Sequence, residues 1–347
     1  MKVLIVNTMT PFVRGKAEEF ATHVQKNIVI AGHEAEVLRI PFQCEPAQRI
    51  PSQMLMVRAF ELCNVDHVIA LKFPAYLIRH PRKTLWLLHQ YRQAYDLFDA
   101  GQTNLHDGQL GDDIRVLIKN ADNESFAESR NIFTSSDVTR ERLKKYNGYD
   151  AQVLLPPIND PELFIGGEKN NGGYIFAGGR VNGMNRQYLL LEALRKSSRK
   201  VKLIIAGSPD SPEDAEKLRK AVRRLRLEDR VKLDLRFLPR ETYAEYVNYS
   251  CAVAYLPFDE DTLGYVAMEA AIAGKALITT TDSGGVLGLV KHNETGLVSK
   301  PKTSSLADAL NKVWRDMQRT KIYGIAAKEL LLSLDISWPK TVEVLLR

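Results

Sequence analysis

Short apolar runs alternate with amphipathic stretches along almost the whole of this 347-residue chain, and that alternation limits the fold more than any other feature. Strands separated by helix-length crossovers pair in parallel, so the pattern predicts doubly wound sheets with helices on both faces. In the first half the expected strands are Val3–Val6, Ala35–Ile40, Asp66–Ala70, Asn131–Thr134 and Ala151–Leu155. The expected helices between them are Lys16–Ala31, Pro51–Cys63, Pro81–Phe98, Asp112–Glu124 and Asp137–Asn147. The apolar stretch before His89 could be strand or helix, since a short apolar run does not distinguish them. Ser135-Ser-Asp137 offers a hydroxyl cap and an acid to the first turn of the last helix.

Pro156-Pro-Ile-Asn-Asp-Pro161 breaks the alternation, and the polar run Gly166–Gly173 after it has the composition of a linker. The pattern then resumes. Strands are expected at Tyr174–Ala177, Val201–Ala206, Val231–Phe237, Cys251–Leu256 and Ala276–Thr281. Helices are expected at Gln187–Lys196, Pro212–Leu225, Glu241–Tyr249, Tyr265–Ala273 and Ser304–Gln318. The reading is therefore α/β with two doubly wound domains, 1–160 and 174–334, joined by a linker at 161–173. Two such domains on a hinge face a central cleft at the carboxyl ends of their strands.

Bulk properties narrow the function. The length suits two ordinary cores, and 45% hydrophobic with 26% charged residues is a globular composition. No apolar run approaches the roughly 18 residues of a membrane span. Met1-Lys-Val-Leu-Ile-Val-Asn reads as a buried strand rather than a signal peptide. Three cysteines without metal-site spacing suit a reducing cytoplasm. The first 165 residues carry 19 basic and 20 acidic side chains, the remainder 29 and 22. A basic second half suits an anionic ligand such as a diphosphate. Part of the excess is Lys217–Arg226, a solvated helix face before it is a functional patch. It lacks interleaved aromatics, which argues against nucleic acid. There is no G-x-G-x-x-G after the first strand, no P-loop and no HExxH, and the only Asp-x-Asp pair is Asp259-Glu-Asp261.

Four constellations could carry chemistry. Phe176-Ala-Gly-Gly179-Arg180 runs a strand into glycines that let backbone approach a ligand, followed by a guanidinium that matches phosphate oxygens. A tight turn with a surface arginine explains the same residues. Arg186 could add a second positive charge. In Asp261-Thr-Leu263-Gly264-Tyr265-Val266-Ala-Met-Glu269, the amides of Tyr265 and Val266 open a helix whose positive end suits a pyrophosphate. Glu269 can lean back toward that end and accept both hydroxyls of a ribose. Asp282-Ser-Gly284-Gly285 offers a second backbone site. His89 is a lone histidine, more often structural than catalytic. Gly15 lies in the loop after the first strand, where a βα turn faces the cleft.

In this order the pieces resemble retaining glycosyltransferase family 4. The resemblance runs from the first strand through Ala31-Gly-His-Glu, Val153-Leu-Leu-Pro-Pro157, Gly178-Gly-Arg180 and Leu203-Ile-Ile-Ala-Gly207. It continues through Pro257–Gly274, Asp282–Gly285 and Glu294-Thr-Gly-Leu297 to Ile336-Ser-Trp338. It implies a GT-B fold of two Rossmann-like domains, the second binding a nucleotide-diphosphate sugar, and a closing helix at 335–347 that packs back on the first. It further implies a soluble, cytoplasmic hexosyltransferase that needs no metal or other cofactor. The acceptor would be a saccharide or a lipid-linked molecule in bacterial surface polysaccharide or glycolipid synthesis, with peripheral contact at the inner membrane face. Arg180 matches the arginine on the donor diphosphate, with Gly15, Gly179, Gly207, Leu263, Gly264, Tyr265, Val266 and Gly285 in donor-binding positions. Glu269 matches the acid on the donor ribose, and His89 the histidine that approaches the donor sugar. The chain departs from the pattern at Asn185, where lysine is usual, at Asp261, where glutamate is usual, and at Gly288 and Ala276. A nucleotide-sugar 2-epimerase and a non-catalytic partner subunit are the alternatives.

Overall fold

The computed structural model describes residues 1–11, 16–105, 108–167 and 173–347, the side chains of Lys16 and Ala17 excepted. The chain divides into two compact units, Met1–Pro157 with Ile336–Arg347, and Ile158–Asp335. Each contains a six-stranded sheet among the described residues, and the strands of both pair in parallel.

In unit 1 the elements are β1 (Lys2–Met9), α1 (Lys16–Ile30), β2 (Glu34–Pro41), α2 (Ile50–Arg58), β3 (His67–Lys72) and β4 (Lys83–His89). They continue with α3 (Asp96–Asp99), α4 (Gln109–Ala127), β5 (Asn131–Thr134), α5 (Asp137–Asn147) and β6 (Gln152–Val153). The strand order is β2-β1-β3-β4-β5-β6. The stretch 81–98, given above as a helix, is instead strand β4 followed by short turns and α3. Thr84–Leu87 are buried between neighbours β3 and β5, and the Trp86 indole donates to the Leu154 carbonyl at 2.9 Å. A run buried on both faces shows no period, so only its neighbours decide its conformation. Helix α5 begins as its sequence requires, with the Ser136 hydroxyl accepting from the Thr139 amide, and ends on Gly148 at φ 74°.

Unit 2 contains β7 (Ile175–Gly178), α6 (Gln187–Lys196), β8 (Leu203–Ala206), α7 (Pro212–Arg224), β9 (Val231–Asp234) and α8 (Arg240–Asn248). There follow β10 (Ala252–Ala254), α9 (Tyr265–Ile272), β11 (Ala276–Thr280), β12 (Gly296–Ser299), α10 (Thr303–Arg315) and α11 (Met317–Ser333). The order is β12-β11-β10-β7-β8-β9, so the direction of winding reverses between β7 and β10. Strands β7, β8, β10 and β11 are buried throughout, as central parallel strands must be. Helix α7 turns Ala215, Leu218, Ala221 and Val222 inward and leaves Arg219, Arg223 and Arg224 exposed, so its basic run is a solvated face.

The stretch given as a linker is packed onto unit 2 in its described part. Phe164 is buried, the Gly166 and Gly167 amides donate to the side chain and carbonyl of Asn248, and Asn248 in turn donates to the Leu163 carbonyl. The last helix, α12 (Trp338–Leu345), belongs to unit 1. Its Trp338 ring lies 6.2 Å from Phe20 on α1 and 6.5 Å from Trp86. Among the described residues no helix is long and apolar enough to cross a membrane.

Candidate functional site

In an open parallel sheet the loops at the carboxyl ends of the two strands flanking the winding reversal separate and leave room for a ligand. In unit 2 these are the loops after β7 and β10, and glycines bring them together. A Cβ on Gly179, which has φ 104°, would lie 3.2 Å from Val266 at the start of α9. A Cβ on Gly207 would lie 2.0 Å from the Gly179 carbonyl oxygen, so the turn after β8 presses directly on the turn after β7. A Cβ on Gly284 would meet the Glu260 carbonyl at 2.5 Å, and one on Gly285 the Thr262 carbonyl at 2.5 Å. The Gly284-Gly285 turn therefore serves close packing against the acidic loop 257–264, and the Gly285 amide donates to Glu260 at 2.7 Å. Four predicted positions, Gly179, Gly207, Gly264 and Gly285, thus stand at one end of one sheet.

Arg180 follows directly. Its side chain is about half exposed, and its Nε donates to Asp210 at 2.6 Å. Asp210 is itself fixed by the Asn182 amide at 2.9 Å. This anchors the guanidinium at its inner nitrogen, and the two outer nitrogens are the pair that can meet an anion with parallel hydrogen bonds. Asn185, at the place where lysine is usual in the resemblance, donates to the Arg180 carbonyl at 2.6 Å and supports the turn.

Arg186, offered by the sequence as a second cation for phosphate, is used otherwise. It caps α6 at φ 52° and buries most of its side chain. The guanidinium donates to the Leu256 carbonyl, the Pro257 carbonyl, Thr280 and both oxygens of Asp282, at 2.7 to 2.9 Å. Its positive charge also holds the Asp282 carboxyl below the usual range, mainly through these hydrogen bonds. Arg186 is a brace between the ends of β10 and β11 that fixes the acidic loop.

That loop leads into α9. Asp261 is half-buried, three residues before Gly264, while its neighbour Glu260 accepts from Tyr255 at 2.6 Å. Leu263 is buried against Gly288, where a Cβ would lie 2.9 Å from its side chain. Gly264 caps the helix at φ 76°, and a Cβ there would strike the Tyr255 ring at 2.6 Å. Tyr265 and Val266 occupy the first two helical positions, with their amides at the positive end of α9. Glu269 lies one turn further on and is 3% exposed. Its Oε1 accepts from Arg240 Nη1 at 2.6 Å. Arg240 opens α8, stacks 4.7 Å from the Phe164 ring and donates to the Asn159 carbonyl at 2.9 Å. Tyr243, one turn along α8, has its hydroxyl shut from solvent where a Cβ on Gly178 would meet it at 2.5 Å. Burial, then the Glu269 charge, pushes this phenol well above its ordinary value.

In unit 1, His89 ends β4 at the carboxyl edge of the sheet, half-buried, its Nδ1 2.7 Å from the Gln90 carbonyl. The buried Gln90 side chain donates to Asn147, which in turn donates to the Tyr95 hydroxyl at 3.3 Å. This chain fixes the backbone that carries His89. Gly15 lies outside the described residues. The sequence reading omits Arg240, Tyr243 and Asp210, because each acquires its place through a partner distant in the chain.

Two doubly wound units in one chain, with a glycine-lined turn, an arginine and a helix start gathered at the strand ends of the second, define a fold of GT-B class. Residues 160–330 match the family described as glycosyl transferases group 1. Over that stretch, a little under half of the chain, it is similar to the group 1 glycosyl transferases. It is similar to the alpha-maltose-1-phosphate synthase of Mycolicibacterium smegmatis, 27% identical over 209 residues, which are 57% of this chain and 53% of that one. The match thus spans about half the length of that relative. Among solved structures, the sucrose-phosphate synthase of Thermosynechococcus elongatus superposes with a TM-score of 0.77 at 15% identity, over 99% of this chain and 96% of that one. The Anabaena protein HepE in complex with UDP-glucose superposes at 0.73 and 17% identity, over 99% and 98%. These two show the fold.

Proposed function

We propose that the chain is a retaining hexosyltransferase of family 4. It would take a nucleotide-diphosphate sugar as donor and a saccharide or lipid-linked acceptor, without a metal, in the cytoplasm and in peripheral contact with the inner membrane face. One observation supports this reading above the others. Arg180 follows the turn after β7, that turn adjoins the start of α9, where a Cβ on Gly179 would lie 3.2 Å from Val266, and Glu269 lies one turn along the same helix. That set supplies a guanidinium and backbone amides for a diphosphate and a carboxylate for a sugar hydroxyl. HepE, a structural neighbour, is solved with UDP-glucose.

In the reaction the bond from the anomeric carbon to the donor phosphate breaks, and the acceptor oxygen forms its bond on the same face. The departing phosphate takes the acceptor's proton. Arg180 and the α9 amides stabilise the charge that develops on the phosphate, which is the role a preorganised donor set performs. No group of three or more histidine, cysteine or acidic residues among the described residues could hold a metal ion. Asp261 would address the donor sugar.

Slow donor hydrolysis tests the reading without knowledge of the acceptor. Proton NMR of UDP-, ADP- and GDP-hexoses with α anomeric bonds, incubated with the protein in EDTA, is expected to show the α sugar released first from one donor. Initial release of the β anomer overturns retention, and activity that needs added manganese or magnesium overturns metal independence. A chain that binds a donor yet releases no sugar is a binding subunit.

A further inference from the structure

We infer that Arg240 is the positioning residue that makes Glu269 a reader of the donor's ribose, so that discrimination between ribose and deoxyribose depends on an arginine one helix away. The inference rests on the donor-site reading above and extends it to a residue that the sequence does not indicate.

Glu269 is almost wholly enclosed, beside the buried Met268, Ala270 and Ala271 of its own helix. A carboxyl in such surroundings tends to keep its proton unless a cation faces it. The distinction matters for recognition. An ionised carboxylate only accepts hydrogen bonds, so it pairs with the two hydroxyl donors of a vicinal diol; a protonated one is itself a donor and cannot match both. Arg240 supplies the cation at 2.6 Å. Its own position is fixed on three other sides, by the Asn159 carbonyl at 2.9 Å, by Asp160 at 3.8 Å and by the Phe164 ring at 4.7 Å. Asn159, Asp160 and Phe164 all belong to the segment that enters unit 2. Arg240 and Tyr243 are three apart on α8 and therefore share one face of the helix. That face is turned to α9, where the Tyr243 hydroxyl is shut from solvent beside the Glu269 carboxylate. The first turn of α8 is thus built to hold a single carboxylate in one charge state and one aim.

The experiment compares affinities by calorimetry. ADP, GDP and UDP are titrated into the wild-type protein, and the tightest is carried forward with its 2′-deoxy analogue and its monophosphate. Wild type is expected to prefer the ribonucleotide over the deoxy form by roughly 10-fold or more, the scale of one charge-assisted hydrogen bond. In Arg240→Met that ratio is expected to fall to within about 2-fold. The preference for diphosphate over monophosphate, which belongs to Arg180, should be unchanged. Arg240→Lys keeps the charge but cannot span Glu269 and the Asn159 carbonyl at once, and should lie between the two. It stands in if the methionine variant does not fold. A full ribose preference in Arg240→Met, or in Arg240→Lys where that variant is used, overturns the inference and leaves the donor site standing. Failure of wild type to bind any of the three diphosphates overturns the donor-site reading, and the inference with it.

Discussion

In unit 1 one buried carboxyl has tyrosine hydroxyls for partners where Glu269 in unit 2 has Arg240. Asp122 on α4 is fully buried in unit 1 and accepts from the Tyr76 hydroxyl at 2.9 Å and the Tyr95 hydroxyl at 2.8 Å. Burial pushes it up to about 7, with the two tyrosine hydrogen bonds opposing the rise. Its folded value lies above the ordinary one, so its contribution to stability is complete below about pH 4 and is lost as pH rises through about 7. Between about pH 5 and pH 8 unit 1 should lose on the order of 2–3 kcal/mol from this one group. Urea unfolding across that range, followed by Trp86 and Trp338 fluorescence in a Trp314→Phe background, measures it. Asp122→Asn should flatten the slope, and a slope that persists in the variant would assign it to another group. Asp122 carries no signal in the sequence, being one acid on an amphipathic helix, and the same limit applies to the arginines. Arg180 was legible as a candidate because the turn that carries it is built by its own glycine neighbours. Arg186 was recognisable as an arginine near the site, but not as a brace, since its partners lie 70 to 96 residues away. Arg240 acquires its role through a partner 29 residues on, in another helix. Residue type and local backbone can be read along the chain; a pairing across elements cannot.

At the scale of elements, the loops of unit 2 hold one another through glycines, and this can be tested by adding one methyl group. Gly284 has φ 64°, and a Cβ there would approach the Glu260 carbonyl oxygen to 2.5 Å and its amide nitrogen to 2.7 Å. Gly284→Ala should therefore cost about 2–4 kcal/mol from the backbone conformation and the contact together. It should also weaken nucleoside diphosphate binding, because the displaced loop carries Gly264 and the start of α9. Gly183 lies one loop away with nothing within 4 Å of its Cβ position, and Gly183→Ala should change stability by no more than about 0.5 kcal/mol. Thermal unfolding of the two variants compares them directly, and equal losses would mean that the loops move independently. The elements themselves were mostly legible, because helices such as α5 and α7 show the period and the hydroxyl caps their class requires. Three were not. Strand β4 lost its period by burial on both faces. Strand β12 opens on Gly296, which weakens a strand pattern in the sequence. Helix α11 spreads its apolar residues around the axis, with Ile322, Ile325 and Leu332 exposed and Tyr323, Ala327 and Leu331 buried, so no single apolar stripe marks it.

At the scale of the whole molecule, the chain leaves unit 1 after Pro157 and returns to it at Ile336, so the first unit is completed by the last residues. The return is a packing requirement. Helix α12 buries Trp338, Val342 and Leu345, and Trp338 closes over Phe20 and Trp86, whose own rings lie 4.7 Å apart. Without α12 those two rings would be uncovered. The same helix encloses His67 on β3, which is bonded to Thr84 at 3.0 Å. Burial, with some help from Arg82, lowers this imidazole to about 4, while a backbone contact from Leu345 opposes the shift. A chain ending at Asp335 should thus show two effects confined to unit 1. Its unfolding should become easier by roughly 3–5 kcal/mol, the scale of removing a buried tryptophan. The His67 imidazole, opened to water, should move back toward the ordinary histidine value of about 6.5. Urea unfolding read through Trp86 gives the first effect, and proton NMR of the imidazole across pH gives the second. Trp338→Ala in the full-length chain should reproduce most of the stability loss while moving His67 less, because Leu345 stays in place. Unit 2, followed through Trp314, should unfold as before. If the truncation leaves His67 near 4, the burial of that histidine comes from the sheet alone, and α12 covers only the Phe20–Trp86 face.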